Sequence, residues 1–304
     1  MMQVTVKYNN AKGRYEGFVD GKMVSRSKHE SYVRDQIYKL GFGTLINAQG
    51  QVNTQPKVDE FGINKRFEFV TQMVQMVAKK TIASAIITGQ GGLGKTHTVL
   101  KTLKNQGLID TTDVAQFEEG TRIPTYKAFK LVKGFSTAKG LYRTLFEGNG
   151  QVLVFDDCDS VLKDPVALNL LKGALDSYGE RWINWNADIR DDDLPRSFKF
   201  EGTIVFISNM DLDRVDQAVR SRAMCVDLTM TQEQKVERME TLVKDPEFLQ
   251  DYSMEDKTSA MEFIREHMNT VSNLSLRTLI STTKICAEGG DWKPLAKYVL
   301  TQGA

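Results

Sequence analysis

Residues 84–96 of this 304-residue chain read SAIITGQGGLGKT. The first five residues are apolar or β-branched enough to predict a short, buried strand. The next eight fit the pattern G-x-x-x-x-G-K-[ST], and a helix is expected to follow them. Between a strand and a helix, such glycines let backbone N–H groups surround a phosphate chain, so the stretch predicts a P-loop. The alternative interpretation is a chance glycine-rich turn.

The polar residues of this loop are candidates for binding ATP and Mg²⁺, the expected cofactors. Lys95 offers a point charge to the β- and γ-phosphates, and Thr96 offers a hydroxyl to Mg²⁺. His97 is a further candidate nucleotide contact, although a place on the helix surface or in packing is the more common role for such a residue. The glycines expected to line the nucleotide are Gly89, Gly91, Gly92 and Gly94.

A second apolar run, at residues 152–155, ends in the carboxylates Asp156 and Asp157. Because ligands of α/β sheets bind outside the carboxyl ends of the strands, these acids are expected beside the P-loop. Asp156 would hold the Mg²⁺ shell, and Asp157 would polarise the attacking water, which is the pattern of a Walker B element. The alternative is an acidic helix start after a buried strand. Asp159 is more typical of a cap or an ion-pair partner.

Helical and strand patterns alternate from residue 61 to about residue 228. A helical pattern covers 67–77, and further apolar strands are expected at 128–132 and 203–207. Alternation of this kind predicts an α/β core with a parallel sheet and helices on both faces. After residue 229 only helical patterns follow, which predicts an all-helical C-terminal subdomain over 229–304. Its helices are expected at 232–243, 259–268, 275–287 and 292–300.

Residues 1–45 predict a small basic β-β-β-α module, with strands at 3–8, 14–19 and 22–25 and a helix over 28–40. Residues 1–40 carry eight Lys and Arg against four Asp and Glu. One interpretation is a DNA-binding face, and the other is the solvated face of a protein-docking domain. The residues proposed for DNA contact are Lys7, Arg14, Lys22 and Arg26, with Tyr8 and Tyr15 available. Residues 46–60 have linker composition.

The composition excludes several classes of protein. Hydrophobic residues make up 41% of the chain, and 40 Lys and Arg balance 39 Asp and Glu, so no global attraction to nucleic acid or lipid is expected. No run approaches the roughly 18 apolar residues of a membrane span, and the N-terminus lacks a secretion signal. The three cysteines show neither zinc-site nor disulfide spacing. A soluble, cytoplasmic protein is expected.

In the order of these parts, residues 60–300 resemble a stand-alone member of the AAA+ ATPase family. The strand at 203–207 ends in Ser208-Asn209, which resembles sensor 1, so Asn209 is expected to help place the hydrolytic water. Residues 218–222, AVRSR, resemble the arginine-finger segment. The resemblance implies Arg222 as the finger and Arg220 as its support. The alternatives are a turn-forming asparagine and a solvated basic helix end.

Residues 273–279, NLSLRTL, are similar to sensor 2 of that family. The resemblance implies that Arg277 contacts the phosphates from a moving helical lid, and a surface arginine is the alternative. Ring translocases of the family grip substrate with a loop after the second core strand, which here places Phe135 either in a pore loop or in the core. Residues 181–195 form either a hairpin ahead of sensor 1 or a plain surface insertion.

Walker B elements of this family usually end in Asp-Glu, whereas this one ends in Asp156-Asp157. The second side chain is shorter by one methylene, so hydrolysis is expected to be slow. This departure favours a nucleotide switch without excluding ATP turnover.

An arginine finger acts only in an assembly, because it reaches the γ-phosphate of a neighbouring subunit's ATP. The resemblance therefore implies self-association, with a hexameric ring or spiral expected and Arg222 acting in trans. The leading interpretation is an ATPase that remodels a macromolecular substrate, either a protein client or DNA. One alternative is a nucleotide-gated DNA-binding or helicase- or clamp-loader-like protein with slow hydrolysis. Another is a nucleotide-dependent oligomeric scaffold.

Overall fold

The computed structural model describes residues 4–19, 21–37, 60–113, 122–134, 137–176, 179–185, 194–271 and 274–302. The chain divides into two compact units, Met1–Glu60 and Phe61–Ala304, and the division falls at the end of the segment expected to be a linker. Most of that segment, the pore-loop candidate Phe135 and Asn273 of the sensor 2 motif lie outside the described residues. Among the described helices, none combines the length and hydropathy that a transmembrane span requires.

The first unit contains a three-stranded antiparallel sheet in the order β1 (Val4–Asn9), β2 (Arg14–Val19) and β3 (Lys22–Ser27), followed by helix α1 (Glu30–Ile37). The helix packs on the sheet over Gly17. A Cβ atom at that position would lie 2.6 Å from Ile37 Cδ1 and 2.7 Å from Val33 Cγ1. The glycine therefore allows the close approach that buries these two helix residues.

Strand register assigns the polar residues of this unit to two faces of the sheet. Lys7 lies opposite Glu16, and Glu16 lies opposite Arg26, whereas Tyr8 lies opposite Tyr15. Because successive side chains of a strand point to opposite faces, Lys7 and Arg26 share one face and the two tyrosines share the other. Tyr15 packs against the cluster formed by α1, which marks the second face as the covered one.

This arrangement corrects the single DNA-contact face expected from the sequence. Arg14, two residues before Glu16 on β2, lies on the same face as Lys7 and Arg26. Lys22 pairs with Val19 and therefore lies on the helix side, together with Tyr8 and Tyr15. The sequence could not predict this, because the bulge at Gly17/Phe18 shifts the register of β3 by one residue.

The second unit is an α/β structure built on a six-stranded, all-parallel sheet. Its strand order is β11-β4-β10-β7-β6-β5. The strands are β4 (Ser84–Thr88), β5 (Ile109–Asp110), β6 (Ala128–Lys133), β7 (Val152–Asp156), β10 (Thr203–Ile207) and β11 (Met224–Asp227). The four strands expected from the sequence are confirmed, and the edge strands β5 and β11 are additions.

Helices cover both faces of this sheet, as the alternating pattern predicted. The helices of the core are α2 (Ile63–Ala78), α3 (Lys95–Asn105), α4 (Ala138–Glu147), α5 (Pro165–Ala174) and α6 (Gln217–Arg220). Alternate residues of β7 enter two separate hydrophobic clusters. Leu153 and Phe155 pack with residues of α4 and α5, and Val152 and Val154 pack with residues of α2 and α3.

Two short antiparallel strands, β8 (Trp182–Asn184) and β9 (Ser197–Lys199), precede β10. They confirm the hairpin interpretation of this segment, and the residues between 186 and 193 lie outside the described part of the chain.

The last part of the second unit is helical. It consists of α7 (Gln232–Val243), α8 (Met254–His267), α9 (Leu276–Ala287) and α10 (Trp292–Gln302). These helices share a hydrophobic cluster that includes Met239, Ile264, Leu279 and Leu300. Helix α8 begins five residues earlier than expected, because Ser253 provides an N-cap whose hydroxyl accepts a hydrogen bond from the Asp256 amide.

Candidate nucleotide-binding site

The glycine-rich loop lies between the end of β4 and the start of α3, at the carboxyl edge of the sheet. Gly89, Gly92 and Gly94 have φ angles of +131°, +75° and +89°, which side-chain-bearing residues rarely adopt. At Gly89 an added Cβ would also lie 2.8 Å from the backbone carbon of Leu228. Glycine is therefore required there both for the backbone turn and for the approach of the chain that follows β11.

The ammonium group of Lys95 is held inside the loop. Its Nζ donates hydrogen bonds to the backbone oxygens of Gly89 at 2.7 Å and Gln90 at 2.8 Å, and to Oδ1 of Asn209 at 2.9 Å. The residue is buried, and burial lowers the pKa of Lys95 while the carboxylates of Asp157 and Asp156 oppose that shift. This lysine therefore connects the loop to the end of β10.

Thr96 and Asp156 are in direct contact. Thr96 Oγ1 lies 3.0 and 3.1 Å from the two carboxylate oxygens of Asp156, whose Oδ2 is also 3.7 Å from Nζ of Lys133. Asp156 is only 5% exposed, and this burial raises the pKa of its carboxyl group, against the hydrogen bond from Thr96. The contact brings together the two residues that the sequence assigned to the metal.

The chemistry of these donors fits Mg²⁺. A hydroxyl and a carboxylate are oxygen ligands, and Mg²⁺ is usually bound by one or two carboxylates together with substrate phosphates and waters. Within the described residues, no group of three or more His, Cys, Asp or Glu side chains forms an all-protein metal site. Thr96 and Asp156 would therefore hold Mg²⁺ only in company with a phosphate-bearing ligand.

Asn209 bridges the two charged partners of the site. It accepts the hydrogen bond from Lys95 and donates from Nδ2 to Oδ1 of Asp157 at 2.5 Å. Asp157 is exposed, has a φ of +55°, and donates its backbone N–H to the oxygen of Ile207 at 3.2 Å. With this left-handed backbone, the carboxylate of Asp157 lies beside Asn209, which follows the end of β10.

Two minor candidates remain, Asp159 and His97. Asp159 accepts a hydrogen bond from the Ser208 hydroxyl at 2.6 Å, so it joins the ends of β7 and β10. His97 is exposed on α3, and none of the contacts described for the chain connects its side chain to the loop.

The two arginines of the finger segment lie near the amino ends of the strands, at the end of the sheet opposite to the glycine-rich loop. Arg222 donates from Nη1 to the backbone oxygen of Ala218 at 2.7 Å, and its own backbone oxygen accepts from Ser84 Oγ at 3.3 Å. Arg220 lies 3.3 Å from the carboxylate of Asp213. Ser84 begins β4, and the glycine-rich loop follows the end of the same strand. Strand β4 has five residues and rises about 3.3 Å per residue, so its length separates Arg222 from the glycine-rich loop of the same chain.

The helical region contacts the glycine-rich loop directly. The backbone N–H of Leu276, at the start of α9, donates to the oxygen of Gly92 at 2.7 Å, and Ser275 Cβ lies 3.1 Å from a Cβ built at Gly92. Arg277 is the next residue and is exposed in the first turn of α9. The fold thus places Arg277 close to the loop, although the sequence contained no indication of the Gly92–Leu276 contact.

A buried arginine that sequence reasoning missed links the core to the helical region. Arg66 of α2 donates from Nη1 to the backbone oxygens of Asp227 at 2.8 Å and Thr229 at 3.0 Å, and from Nη2 to Gln234 of α7 at 3.3 Å. It therefore spans the connection between β11 and α7. In the sequence it is only one polar position of an amphipathic helix, which indicates no such role.

The fold and the loop define an α/β protein whose parallel sheet and surrounding helices are compatible with a P-loop-like core. No model of a known protein family matches the sequence. The chain is 30% identical over 253 residues to an uncharacterized 36.7 kDa protein in the nrdC-mobD intergenic region of Enterobacteria phage T4, and the match covers 77% of this chain and 73% of that protein. The chain belongs to the family of this phage protein.

Proposed function

We propose that this protein is an ATPase of the AAA+ type that binds ATP and Mg²⁺ at the carboxyl edge of its core sheet. The observation that carries the proposal is the meeting of three chain segments there. Lys95 and Thr96 come from the glycine-rich loop, Asp156 and Asp157 from the end of β7, and Asn209 from the end of β10. This set supplies a phosphate contact, a metal anchor and a group that orients water, which are the parts that phosphoryl transfer needs.

Each side chain then has a separate task. Lys95 exchanges its contacts with backbone carbonyls for the phosphates, and Thr96 and Asp156 hold the metal. Mg²⁺, when bound, supplies positive charge that neutralises the developing charge on the phosphate oxygens. Asp157 accepts a hydrogen bond from the attacking water and orients it, and Asn209 positions Asp157 through the bond that the structure describes.

The position of Arg222 supports assembly of several copies. Because β4 separates it from its own glycine-rich loop, this arginine serves phosphoryl transfer only at the site of a neighbouring copy. Arg220, at the end of α6, stabilises the same segment through Asp213. A ring or spiral, with six copies as the expected number, is the arrangement in which every site receives such a finger. In such a ring or spiral, the energy of ATP turnover would be used to remodel a macromolecular substrate.

The helical region 229–304 is proposed to act as a lid that senses the nucleotide. Its support is the hydrogen bond between Leu276 and Gly92 and the bridge from Arg66 to Gln234. A phosphate that changes the loop conformation at Gly92 therefore changes a contact of α9. Arg277, beside that contact, would reach the phosphates from the lid.

A second candidate is a nucleotide-gated DNA-binding or loader protein with slow hydrolysis. The observation that favours it is Asp157, which is shorter than the usual glutamate and is already engaged by Asn209 at 2.5 Å. The third candidate, a scaffold that binds nucleotide only to assemble, predicts ATP-dependent oligomers without turnover.

The test compares ATP turnover, ATP binding and assembly in a set of variants. Lys95→Ala is expected to abolish nucleotide binding. Arg222→Ala and Asp157→Asn are each expected to bind ATP without hydrolysing it, and a mixture of the two is expected to regain turnover, because each supplies the group that the other lacks. Arg143→Ala removes an arginine of an exposed ion pair on α4 and serves as the control.

Two results would contradict the proposal. Normal turnover by Arg222→Ala would show that the trans finger is assigned wrongly. Failure of the unsubstituted protein to bind ATP in the presence of Mg²⁺ would remove the ATPase proposal altogether.

A further inference from the structure

Two acidic side chains of the N-terminal sheet and helix, Glu16 and Glu30, are paired within this unit. Glu16 accepts hydrogen bonds from Asn9 Nδ2 at 3.2 Å and Arg14 Nε at 2.9 Å, and these partners lower the pKa of Glu16. Glu30 pairs with Arg34 one turn along α1, at 2.5 Å. Within residues 4–19 and 21–37, the exposed cations outside these pairs are Lys7, Lys12, Lys22, Arg26 and Lys28.

Four of these five cations collect at one end of the three-stranded sheet. Lys7 and Arg26 lie on either side of Glu16 in a row across the strands. Lys12 lies in the turn between β1 and β2, and Lys28 directly follows the end of β3, which is the same end of the sheet. We call these four residues the cationic end; Lys22 lies at the opposite end.

The face that carries Lys7 and Arg26 has no partner element among the described residues of this unit. Helix α1 packs on the other face, through Tyr15 and its neighbours. Adjacent strands are about 4.8 Å apart, so the backbones of Lys7 and Arg26 are about 10 Å apart, with Arg14 and Glu16 between them. The sheet therefore sets the distance between the backbones of the two exposed cations, and the Arg14–Glu16 ion pair lies on the strand between them.

The positions of the aromatic residues favour a phosphate backbone over unpaired bases as the ligand. Proteins that bind single strands stack bases on exposed aromatic side chains. Here Tyr8 and Tyr15 make an edge-to-face contact on the helix side, with ring centroids 4.8 Å apart. Tyr8 is half exposed, but it lies on the face opposite to Lys7 and Arg26. Phe18 shares the open face but pairs with Thr5 and Met23, away from the cationic end.

We propose that the cationic end of the N-terminal sheet binds the phosphate backbone of duplex DNA, largely independently of base sequence. Exposed cations that neutralise phosphates release counterions, and each such contact makes the slope of log K against log salt concentration more negative by about 0.9. Four contacts correspond to a loss of about 100-fold in affinity between 50 and 200 mM salt. This binding concerns only the N-terminal unit and does not depend on ATP.

The experiment measures fluorescence anisotropy of a labelled random-sequence DNA duplex with the full chain, without nucleotide, over a range of salt concentrations. The test variant is Lys7→Gln/Arg26→Gln. The matched control, Lys22→Gln/Lys284→Gln, removes the same charge outside the cationic end. A charge-preserving variant, Lys7→Arg/Arg26→Lys, separates loss of charge from loss of structure.

The test variant is expected to bind at least tenfold more weakly at 100 mM salt, with its salt slope reduced by about two. The control and the charge-preserving variant are expected to keep the slope of the unsubstituted protein. Equal weakening of the test variant and the control would overturn the proposal, because net charge alone would then explain binding. Tighter binding of single-stranded DNA than of duplex, or no duplex binding, would overturn it as well.

Discussion

The hydroxyl of Thr96 lies 3.0 and 3.1 Å from the two carboxylate oxygens of Asp156, although 60 residues separate them in the sequence. Thr96 begins α3 after β4, and Asp156 ends β7. Only β10 lies between these two strands in the sheet, and all three run parallel, so their carboxyl ends meet at one edge. The pair is the structural reason for expecting a Mg²⁺-nucleotide site here.

Replacing Thr96 should therefore separate metal binding from folding. Thr96→Ala is expected to weaken ATP binding in the presence of Mg²⁺ by about 10- to 100-fold, since a hydrogen bond to a charged group contributes about 1.5–3 kcal/mol. ATP binding in EDTA should change little. Thr96→Ser keeps the hydroxyl and is the matched control. Calorimetric titration with ATP measures both, and equal affinities for the Ala and Ser variants would contradict the metal role.

Asp156 is expected to destabilise the metal-free protein at neutral pH. Burial raises the pKa of its carboxyl group, so the folded state binds the proton more tightly than the unfolded state does. Its contribution to stability is therefore most favourable at low pH and is lost as the pH rises through the folded-state pKa. Asp156→Asn should raise the Tm in EDTA at pH 7, by less at about pH 4, and should abolish stabilisation by Mg²⁺ and ATP. An unchanged or lower Tm at pH 7 would contradict this.

Asp157 allows a test of the chemistry by one methylene group. Asp157→Glu restores the side-chain length usual in the AAA+ family, and we expect faster ATP turnover with a small loss of stability, because glutamate tolerates a φ of +55° less well than aspartate. Asp157→Asn should lower turnover by at least about 100-fold while ATP binding remains. Steady-state kinetics decide the matter: turnover by the Asn variant at the unsubstituted rate would exclude Asp157 from the reaction.

Gly89 should be among the least replaceable residues of the loop. In Gly89→Ala the new Cβ would lie 2.8 Å from the backbone carbon of Leu228, and the alanine would have to adopt a φ of +131°. The free energy of unfolding should therefore fall by about 2–5 kcal/mol. Gly107 has a φ of +77° but open space around it, so Gly107→Ala, the control, should cost only about 1–2 kcal/mol. Urea unfolding compares the two, and equal costs would show that the contact with Leu228 does not matter.

The architecture of the core could largely be predicted from local patterns. The expected strands at 84–88, 128–132, 152–155 and 203–207 are apolar runs long enough to be recognised, and all four form. The edge strands β5 and β11 were missed for a physical reason. Ile109–Asp110 has two residues, and Met224–Asp227 is partly exposed at Met224, so neither shows the continuous apolar run of a central strand.

The sequence indicated the residues of the candidate site one by one, but not the contacts between them. The sequence indicated Lys95, Asp157 and Asn209 separately, each from its own segment. That Asn209 accepts from Lys95 and donates to Asp157 depends on three loops meeting at one edge, and no single segment carries that information. Arg66 could not be found at all, because its partners are backbone oxygens and a glutamine more than 150 residues away.

The sequence by itself determined the local structures: the glycine-rich turn after β4, the buried strands, the helices and the basic charge of the N-terminal unit. These follow from neighbouring residues, through backbone freedom at glycine and the spacing of apolar side chains. Only the tertiary structure decided that Thr96 meets Asp156, that Arg222 lies at the sheet edge opposite its own loop, and that Lys7 and Arg26 share an open face. The physical reason is that strand order and register depend on how distant segments pack together, and that packing is a property of the whole fold.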